Sequence, residues 1–335
     1  MNSSAPLTAD HGLTWNVEQL YHQLAPRLPN LSIEVVSEIA STNSALLERA
    51  RVASRLSFEG DRAQVRRSTE SQAFGRRTAD HQPCLLVAEH QTQGRGRHGR
   101  VWQSEAVASL TFSLAMPLSP VDWSGFSLAV GVALADALDP AGYASAGQNT
   151  ESSNAPWIGL KWPNDLWLMP AGGSSAEGRK LGGLLIETVP AGDMRLAVVG
   201  IGLNVLPLSL AHAQASSGYA CLQEIDPDTS APQVLARIVL PLVDALQRFE
   251  REGFAGFADR FAARDVLRGR AVHAGASGAV GSEALVRTSS SIEGIAEGVS
   301  GTGALRVRVP GDGLREVMSG EVSVRLRPTP AAGAC

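Results

Sequence analysis

The chain has 335 residues, 44% hydrophobic and 19% charged, with 29 basic and 33 acidic side chains and a formal net charge of −4. That composition supports a buried core in two domains, or in one large domain with an appendage, and argues against nucleic-acid binding through overall charge. Cys84, Cys221 and Cys335 are odd in number and far apart, which fits a reducing cytoplasm; no signal peptide, membrane-length apolar run or HxxxH spacing is visible.

In chain order, Val17, Leu20, Tyr21, Leu24 and Leu28 have helical spacing within Trp15–Leu28. Leu31–Ile39 alternates as a strand, and Ser41-Thr42-Asn43 then reads as a cap for a helix over Ala45–Val52. Ser54–Gln82 is polar, carries six arginines and has no period, so a mobile insertion is expected there. Pro83–Glu89 reads as a buried strand. Ala108–Met116 reads as a strand with one covered face, because Leu110, Phe112, Leu114 and Met116 alternate. Phe126–Leu138 is apolar nearly all round and predicts a central helix. Gly142–Pro156 reads as an extended loop, Ile158–Leu168 and Leu181–Thr188 as strands, and Ala171–Gly178 as a flexible tip. Arg195–Val205 is a strand run broken by Gly200 and Gly202. Val234–Phe249 puts Leu235, Ile238, Leu242, Leu246 and Phe249 on one helical face, with Pro241 as a potential kink. After Arg264, short runs at Ala284–Arg287, Ala304–Val309 and Glu321–Leu326 alternate with Gly-rich turns, as in a small antiparallel barrel of about sixty residues. The expected class is α+β: a mixed or antiparallel sheet packed with helices, plus a small C-terminal β-barrel.

The segment that carries most chemistry is Gly94-Arg95-Gly96-Arg97-His98-Gly99-Arg100, directly after a buried strand. Glycine lets a ligand approach the main chain, and arginine offers a permanent fork of donors for carboxylate and phosphate oxygens. The loop lacks the Gly-Lys-Ser/Thr of a Walker motif and the glycine spacing of a dinucleotide fingerprint. Beside it stand Lys161-Trp162-Pro163-Asn164-Asp165, Lys180-Leu181-Gly182-Gly183, Gly200-Ile201-Gly202-Leu203-Asn204, and Glu89–Gln93 with Gln91. Each has a plainer reading: a flexible basic loop, Trp162 in the core, Asp165 paired with a cation, Lys180 solvated, a bulge at Gly200 and Gly202. Together they supply several cations, close-approach backbone and amides, but no histidine base and no nucleophile. That suits a reaction whose substrate brings its own nucleophile, such as adenylation of a carboxylate.

Taken in order, and with Ser41-Thr42-Asn43 before them and Ser319-Gly320-Glu321-Val322-Ser323 after them, these motifs resemble the biotin–protein ligases over about residues 31–327. The resemblance implies a biotin/lipoate ligase-like catalytic domain followed by an SH3-like β domain. It implies activation of biotin with MgATP as biotinyl-5′-adenylate, then transfer to one lysine of a biotin carboxyl carrier domain, as in acetyl-CoA carboxylase. By position, Ser41, Thr42 and Gln91 would hold the ureido ring, supported by Asn43. Gly94, Arg95, Gly96 and Arg97 would close over the biotin tail and phosphate, and Gly183 would lie against the ligand. Lys180 would grip the biotin carboxylate and the α-phosphoryl oxygen, which makes Lys180, Arg95 and Arg97 the catalytic candidates. Arg100, Lys161 and Asn164 would serve the phosphates and Mg²⁺, with no protein-built metal site. Trp102, Asn204 and Tyr219 would line the adenine, Arg325 would reach toward the nucleotide, and Asp165 would orient the acceptor lysine.

The implied division is an extension with one helix over 1–30, a catalytic domain over 31–264 with an insertion at 54–82, a β domain over 265–328 and a tail over 329–335. His98 stands where many bacterial members have another basic residue, and 54–82 is longer than the family's usual connection. About thirty residues before the first family strand are too few for the winged helix-turn-helix of the repressor members, so specific DNA binding is not expected. The expected location is the cytoplasm, with no membrane partner, and pairing through a sheet edge is a family option. The competing readings are a lipoate or octanoate ligase and a non-catalytic biotin-sensing regulator.

Overall fold

A computed structural model describes residues 13–59, 72–74, 82–142, 155–172, 178–191, 194–209, 218–276, 291–319 and 322–326. Its elements run α1 (Val17–Leu24), β1 (Ser32–Ile39), α2 (Thr42–Glu59), β2 (Gln72–Phe74), β3 (Cys84–Gln91), β4 (Ser109–Leu118), α3 (Phe126–Leu138), β5 (Trp157–Lys161) and β6 (Asp165–Met169). They continue with β7 (Arg179–Ala191), β8 (Met194–Asn204), α4 (Ala231–Glu252), α5 (Ala258–Arg264), β9 (Ala271–Ala276), β10 (Ile292–Val299), β11 (Leu305–Val309), β12 (Gly313–Val317) and β13 (Val322–Leu326). The chain divides into a first unit of Met1–Gly96, Val101–Ser119 and Leu184–Leu240, and a second of Arg97–Arg100, Pro120–Gly183 and Pro241–Cys335.

In the first unit β1 pairs antiparallel with β2 and parallel with β3, and β3 pairs antiparallel with β4. The β4–β8 ladder runs without interruption from Ser109 opposite Asn204 to Leu118 opposite Arg195. Cys84–Ala88 is apolar without alternation because both its faces are covered. One covering layer is α2, whose Leu46, Leu47 and Ala50 pack with Cys84, Leu86, Ala115, Leu196 and Val198.

Two expectations are corrected here. The strand at β4 is buried on both faces, not one: Ser109, Thr111 and Ser113 alternate with its apolar residues but are themselves at most 2% exposed. They tolerate burial because they are hydrogen-bonded; Thr111 Oγ1, for example, donates to the Ala88 carbonyl at 2.8 Å. The strand at β8 is not broken at Gly200 and Gly202, whose missing side chains make room for neighbours described below. The expected insertion at 54–82 contains the end of α2 and the strand β2; 60–71 and 75–81 lie outside the described residues.

In the second unit α3 buries Phe126, Leu128, Val130, Val132, Leu134 and Leu138, as its all-round apolarity predicts. The segment Ile158–Leu168, expected as one strand, is a hairpin: β5 and β6 pair antiparallel from Trp157 opposite Met169 to Lys161 opposite Asp165, and the peptide Trp162–Pro163 in the turn is cis. The first part of β7 then pairs with β6, placing Gly183 opposite Asp165. Arg264, fully buried at the end of α5, donates to Asp136 Oδ1 at 2.9 Å, Asp139 Oδ2 at 3.3 Å and the Ile158 carbonyl at 2.8 Å. Two carboxylates and backbone oxygens thus satisfy a charge that would otherwise be costly to bury.

The C-terminal strands form a five-stranded antiparallel sheet in the order β12-β11-β10-β9-β13. The expected strands at Ala304–Val309 and Glu321–Leu326 are β11 and β13, while Ala284–Arg287 lies outside the described residues. So do 143–154 of the expected loop and 173–177 of the expected tip.

Candidate active site

The first unit holds a buried polar cluster where β1 hands over to α2. Ser41 caps the helix, its Oγ accepting the Ser44 N–H at 3.4 Å, so the capping role and a place in the cluster coexist. Ser41, Thr42 and Asn43 are only 4%, 3% and 3% exposed. Gln91, the last residue of β3, turns its Oε1 to accept the Thr42 backbone N–H at 2.7 Å and its hydroxyl at 3.1 Å. The Ser113 hydroxyl, from β4, lies 2.7 Å from Thr42 Oγ1 and 2.6 Å from Asn43 Oδ1 and is hydrogen-bonded to both. The Asn43 amide donates to the Leu185 carbonyl at 3.0 Å and to Glu187 Oε2 at 3.1 Å. Gly200 backs this side chain: a Cβ there would fall 2.2 Å from Asn43 Oδ1.

The basic loop starts in the same unit. The Trp102 N–H donates to the Gly94 carbonyl at 2.9 Å, and a Cβ on Gly94 would lie 2.3 Å from the Trp102 carbonyl oxygen. The indole of Trp102 is half-buried against Gly202, where a Cβ would come within 2.4 Å of the ring. Both glycines therefore serve close approach, and neither Gly200 nor Gly202 marks a bulge. Arg95 donates to Ser44 Oγ at 3.2 Å and reaches both Glu187 oxygens at 3.3 and 3.5 Å. Asn204 is buried at the end of β8 and its amide donates to the Ala220 carbonyl at 3.0 Å, next to the partly buried Tyr219. Gly96 closes this part of the loop.

The second unit takes the rest of the loop, where Arg97–Gly99 makes one 3₁₀ turn with His98 in the left-handed region at φ 56°. Arg97 donates to Asn164 Oδ1 at 3.4 Å and to the backbone carbonyl of Ser319. Burial, aided by Arg100, pushes the Arg97 guanidinium below its ordinary value, with Asp165 opposing. Lys180 Nζ donates to Asp165 Oδ1 at 2.8 Å. A Cβ on Gly183 would lie 3.3 Å from Asp165 Oδ1 and 3.4 Å from Lys180 Nζ, so glycine opens space beside the ion pair. The Lys161 ammonium sits over the Trp167 ring, 4.2 Å from its centroid. Trp162 is core, 1% exposed, with its indole N–H donating to the Gly303 carbonyl at 3.0 Å. Arg100 and Arg325 are exposed, the latter opposite His273 on β9.

Of the plainer readings, that of Trp162 as core holds, and Asp165 is indeed paired with a cation. Lys180 is not a merely solvated lysine. Sequence reasoning missed Ser113, Glu187 and Ser104, whose Oγ accepts the Gln91 N–H at 3.2 Å. Ser113 carries a faint signal, a hydroxyl at a polar position of an alternating strand; Glu187 carries none beyond its place in a strand.

Residues 63–204 match the Biotin/lipoate A/B protein ligase family, and residues 283–325 match the Biotin protein ligase C terminal domain. The Escherichia coli (strain K12) protein named bifunctional ligase/repressor BirA is 31% identical over 242 residues, 71% of this chain and 65% of that protein. The Mycobacterium tuberculosis biotin--[acetyl-CoA-carboxylase] ligase is 32% identical over 202 residues, 59% of this chain and 54% of that protein. The matched stretch therefore spans less than two thirds of either relative's own length. Among solved structures, the biotin protein ligase from Aquifex aeolicus in complex with biotin and ATP superposes with a TM-score of 0.58 at 24% identity, covering 88% of this chain and 99% of that one. That likeness establishes the fold: a ligase-type mixed sheet with helices and a C-terminal antiparallel β domain.

Proposed function

We propose, from the match of residues 63–204 to the Biotin/lipoate A/B protein ligase family and of residues 283–325 to the Biotin protein ligase C terminal domain, that the chain is an ATP-dependent biotin–protein ligase. It activates biotin as biotinyl-5′-AMP and passes it to one lysine of a biotin carboxyl carrier domain. The observation that carries this reading is the buried set of Thr42, Asn43 and Gln91 with Ser113. Hydroxyls and amides fixed among apolar strands suit a neutral ring with one carbonyl and two N–H groups, which is the ureido ring. A dithiolane would leave them unmatched, and a site built to hydrogen-bond rejects an analogue that cannot. This favours biotin over lipoate or octanoate.

The roles follow from that choice. Ser41, Thr42 and Gln91 hold the ureido ring and Asn43 supports them. Arg95 and Arg97 cover the biotin tail and the phosphate, with Gly94, Gly96 and Gly183 allowing close approach. Lys180 neutralises the carboxylate and the α-phosphoryl oxygen as a carboxylate oxygen attacks phosphorus and pyrophosphate leaves. Cations fixed in advance stabilise the charge that develops in that step, and no protein nucleophile is needed. Trp102, Asn204 and Tyr219 line the adenine, Arg100, Lys161 and Asn164 serve the phosphates, and Arg325 reaches the nucleotide. In the second step the acceptor lysine attacks the acyl carbon and AMP leaves; Asp165, already a cation partner, orients that lysine.

Among the described residues no group of three or more His, Cys, Asp or Glu side chains could hold a metal ion. Mg²⁺ suits this donor set as an ion carried in on the ATP phosphates, which is its usual mode. The catalytic domain is taken as 31–264 and the β domain as 265–328. A cytoplasmic ligase without specific DNA binding completes the reading, with pairing through a sheet edge as an open option; no described helix is long and apolar enough to cross a membrane.

The test is to incubate the protein with ATP, Mg²⁺, an apo carrier domain and either biotin or lipoate, and to weigh the carrier. A gain of one biotinyl group is expected. A carrier that takes only lipoate, or nothing, overturns the proposal.

A further inference from the structure

The hydroxyls of Thr42 and Ser113 bring one proton each to the buried cluster of the first unit, and the contacts around them fix where both protons go. The sense is set at Asn43. Its Nδ2 lies 3.0 Å from the Leu185 carbonyl and 3.1 Å from a Glu187 carboxylate oxygen, two groups that only accept. The amide is therefore held one way round, with Oδ1 facing Ser113 as an acceptor. Ser113 Oγ stands 2.6 Å from that oxygen and must donate to it. With the Ser113 proton committed, the 2.7 Å contact between Ser113 and Thr42 can be made only by the Thr42 proton. Gln91 Oε1, 3.1 Å from the same hydroxyl, takes the weaker branch of that proton; its main donor is the Thr42 backbone N–H at 2.7 Å. Ser113 is fully buried, and Thr42 and Asn43 are each 3% exposed. A reversed sense would set lone pairs against each other with no water to relieve them.

We propose that Ser113 is a positioning residue that sets the hydrogen-bonding sense of the site. Held by Asn43, it turns the Thr42 proton inward, so the Thr42 hydroxyl has only lone pairs to offer a ligand. The site then selects a ring that presents an N–H to Thr42 and rejects a ring of the same shape with oxygen at that place. Leu185 and Glu187, at the far end of the relay, are the groups that hold this sense. The identity of the ring rests on the function proposed above, whereas the direction of the two protons belongs to the ligand-free protein.

Two measurements test it. Neutron diffraction from the ligand-free protein in heavy water locates both hydroxyl deuterons. The Ser113 deuteron is expected toward Asn43 Oδ1 and the Thr42 deuteron toward Ser113; a Ser113 deuteron aimed at Thr42, or a Thr42 deuteron aimed at Gln91, overturns the proposal. Calorimetry then compares biotin with its two cyclic carbamate analogues, each with one ring N–H replaced by oxygen, in wild type and Ser113→Ala. Wild type is expected to bind one of the two about a hundredfold more weakly than biotin, the scale of a buried acceptor left facing an acceptor. In Ser113→Ala the Thr42 proton is free to turn outward, and that ratio is expected to fall to about tenfold or less. A merely structural role for Ser113 would weaken all three ligands alike and leave the ratio unchanged, which overturns the proposal, as does a wild type that rejects neither carbamate. If wild type binds no biotin, the functional reading fails, and the deuteron positions alone uphold or overturn the proton sense.

Discussion

Asn43 is the residue on which the candidate site turns, because every polar atom of its side chain is committed. Its carbonyl oxygen accepts from Ser113, and its amide serves Leu185 and Glu187. The space it occupies exists only because residue 200 has no side chain. Gly200→Ala sets a methyl against a buried amide that has nowhere to move, an overpacking change that costs about 1–3 kcal/mol. Urea unfolding is expected to show that loss together with a weakened affinity for biotin; wild-type stability would mean that Asn43 can give way. Thr42, Asn43, Gln91, Arg95, Arg97 and Lys180 were all legible in the sequence, since each stands in a short motif of unusual composition. Ser113 and Glu187 were not. A serine in an alternating strand looks like a solvent-facing position, and only the second covered face of β4 turns it inward. Glu187 lies seven residues beyond Lys180 in an ordinary strand pattern, and nothing local reveals that the loop folds back onto it.

At the scale of elements, the junction from α5 to β9 carries two charged neighbours treated in opposite ways. Arg264 is buried with two carboxylates around it. Asp265 accepts the Leu267 N–H at 2.9 Å through one oxygen, while its other oxygen is buried without a hydrogen-bond partner among the described residues. Burial pushes its carboxyl up from 3.8 to about 6, against the pull of the Leu267 N–H and Arg268. The folded chain thus holds this proton more tightly than the unfolded chain, so this group's contribution to stability is fully present below about pH 4 and is lost as pH rises through about 6. Asp265→Asn keeps the acceptor and removes the charge. At pH 8 it is expected to be more stable than wild type by up to about 3 kcal/mol, with the advantage gone near pH 4. Thermal unfolding at the two pH values checks this, and an advantage that persists at pH 4 would assign it to packing instead. Most elements were legible from period alone: α3, β3 and the apolar face of α4 are where their patterns put them. The hairpin β5–β6 was not, because Ile158–Leu168 is apolar on both sides of its turn and Trp162 continues the pattern as core.

At the scale of the molecule, a chain of net charge −4 still gathers three arginines into the seven residues Gly94–Arg100, a local cationic feature of the kind that suits an anionic ligand. The fold class was legible because strands and helices follow one another without a regular βαβ alternation. How the sheets pair was not, since β1 joins β3 in parallel and β4 joins β8 across 76 intervening residues, counting from Leu118 to Arg195. The reading as a whole depends on adenylation of biotin by fixed cations with no covalent enzyme intermediate. Biotin-dependent exchange of labelled pyrophosphate into ATP isolates that step from any carrier protein. The expected result is exchange that requires biotin, is not supported by lipoate, and falls at least about a hundredfold in Lys180→Ala, the scale for losing one stabilising group in a transition state. Exchange that is undiminished in Lys180→Ala, or absent with biotin in the wild-type protein, would contradict it.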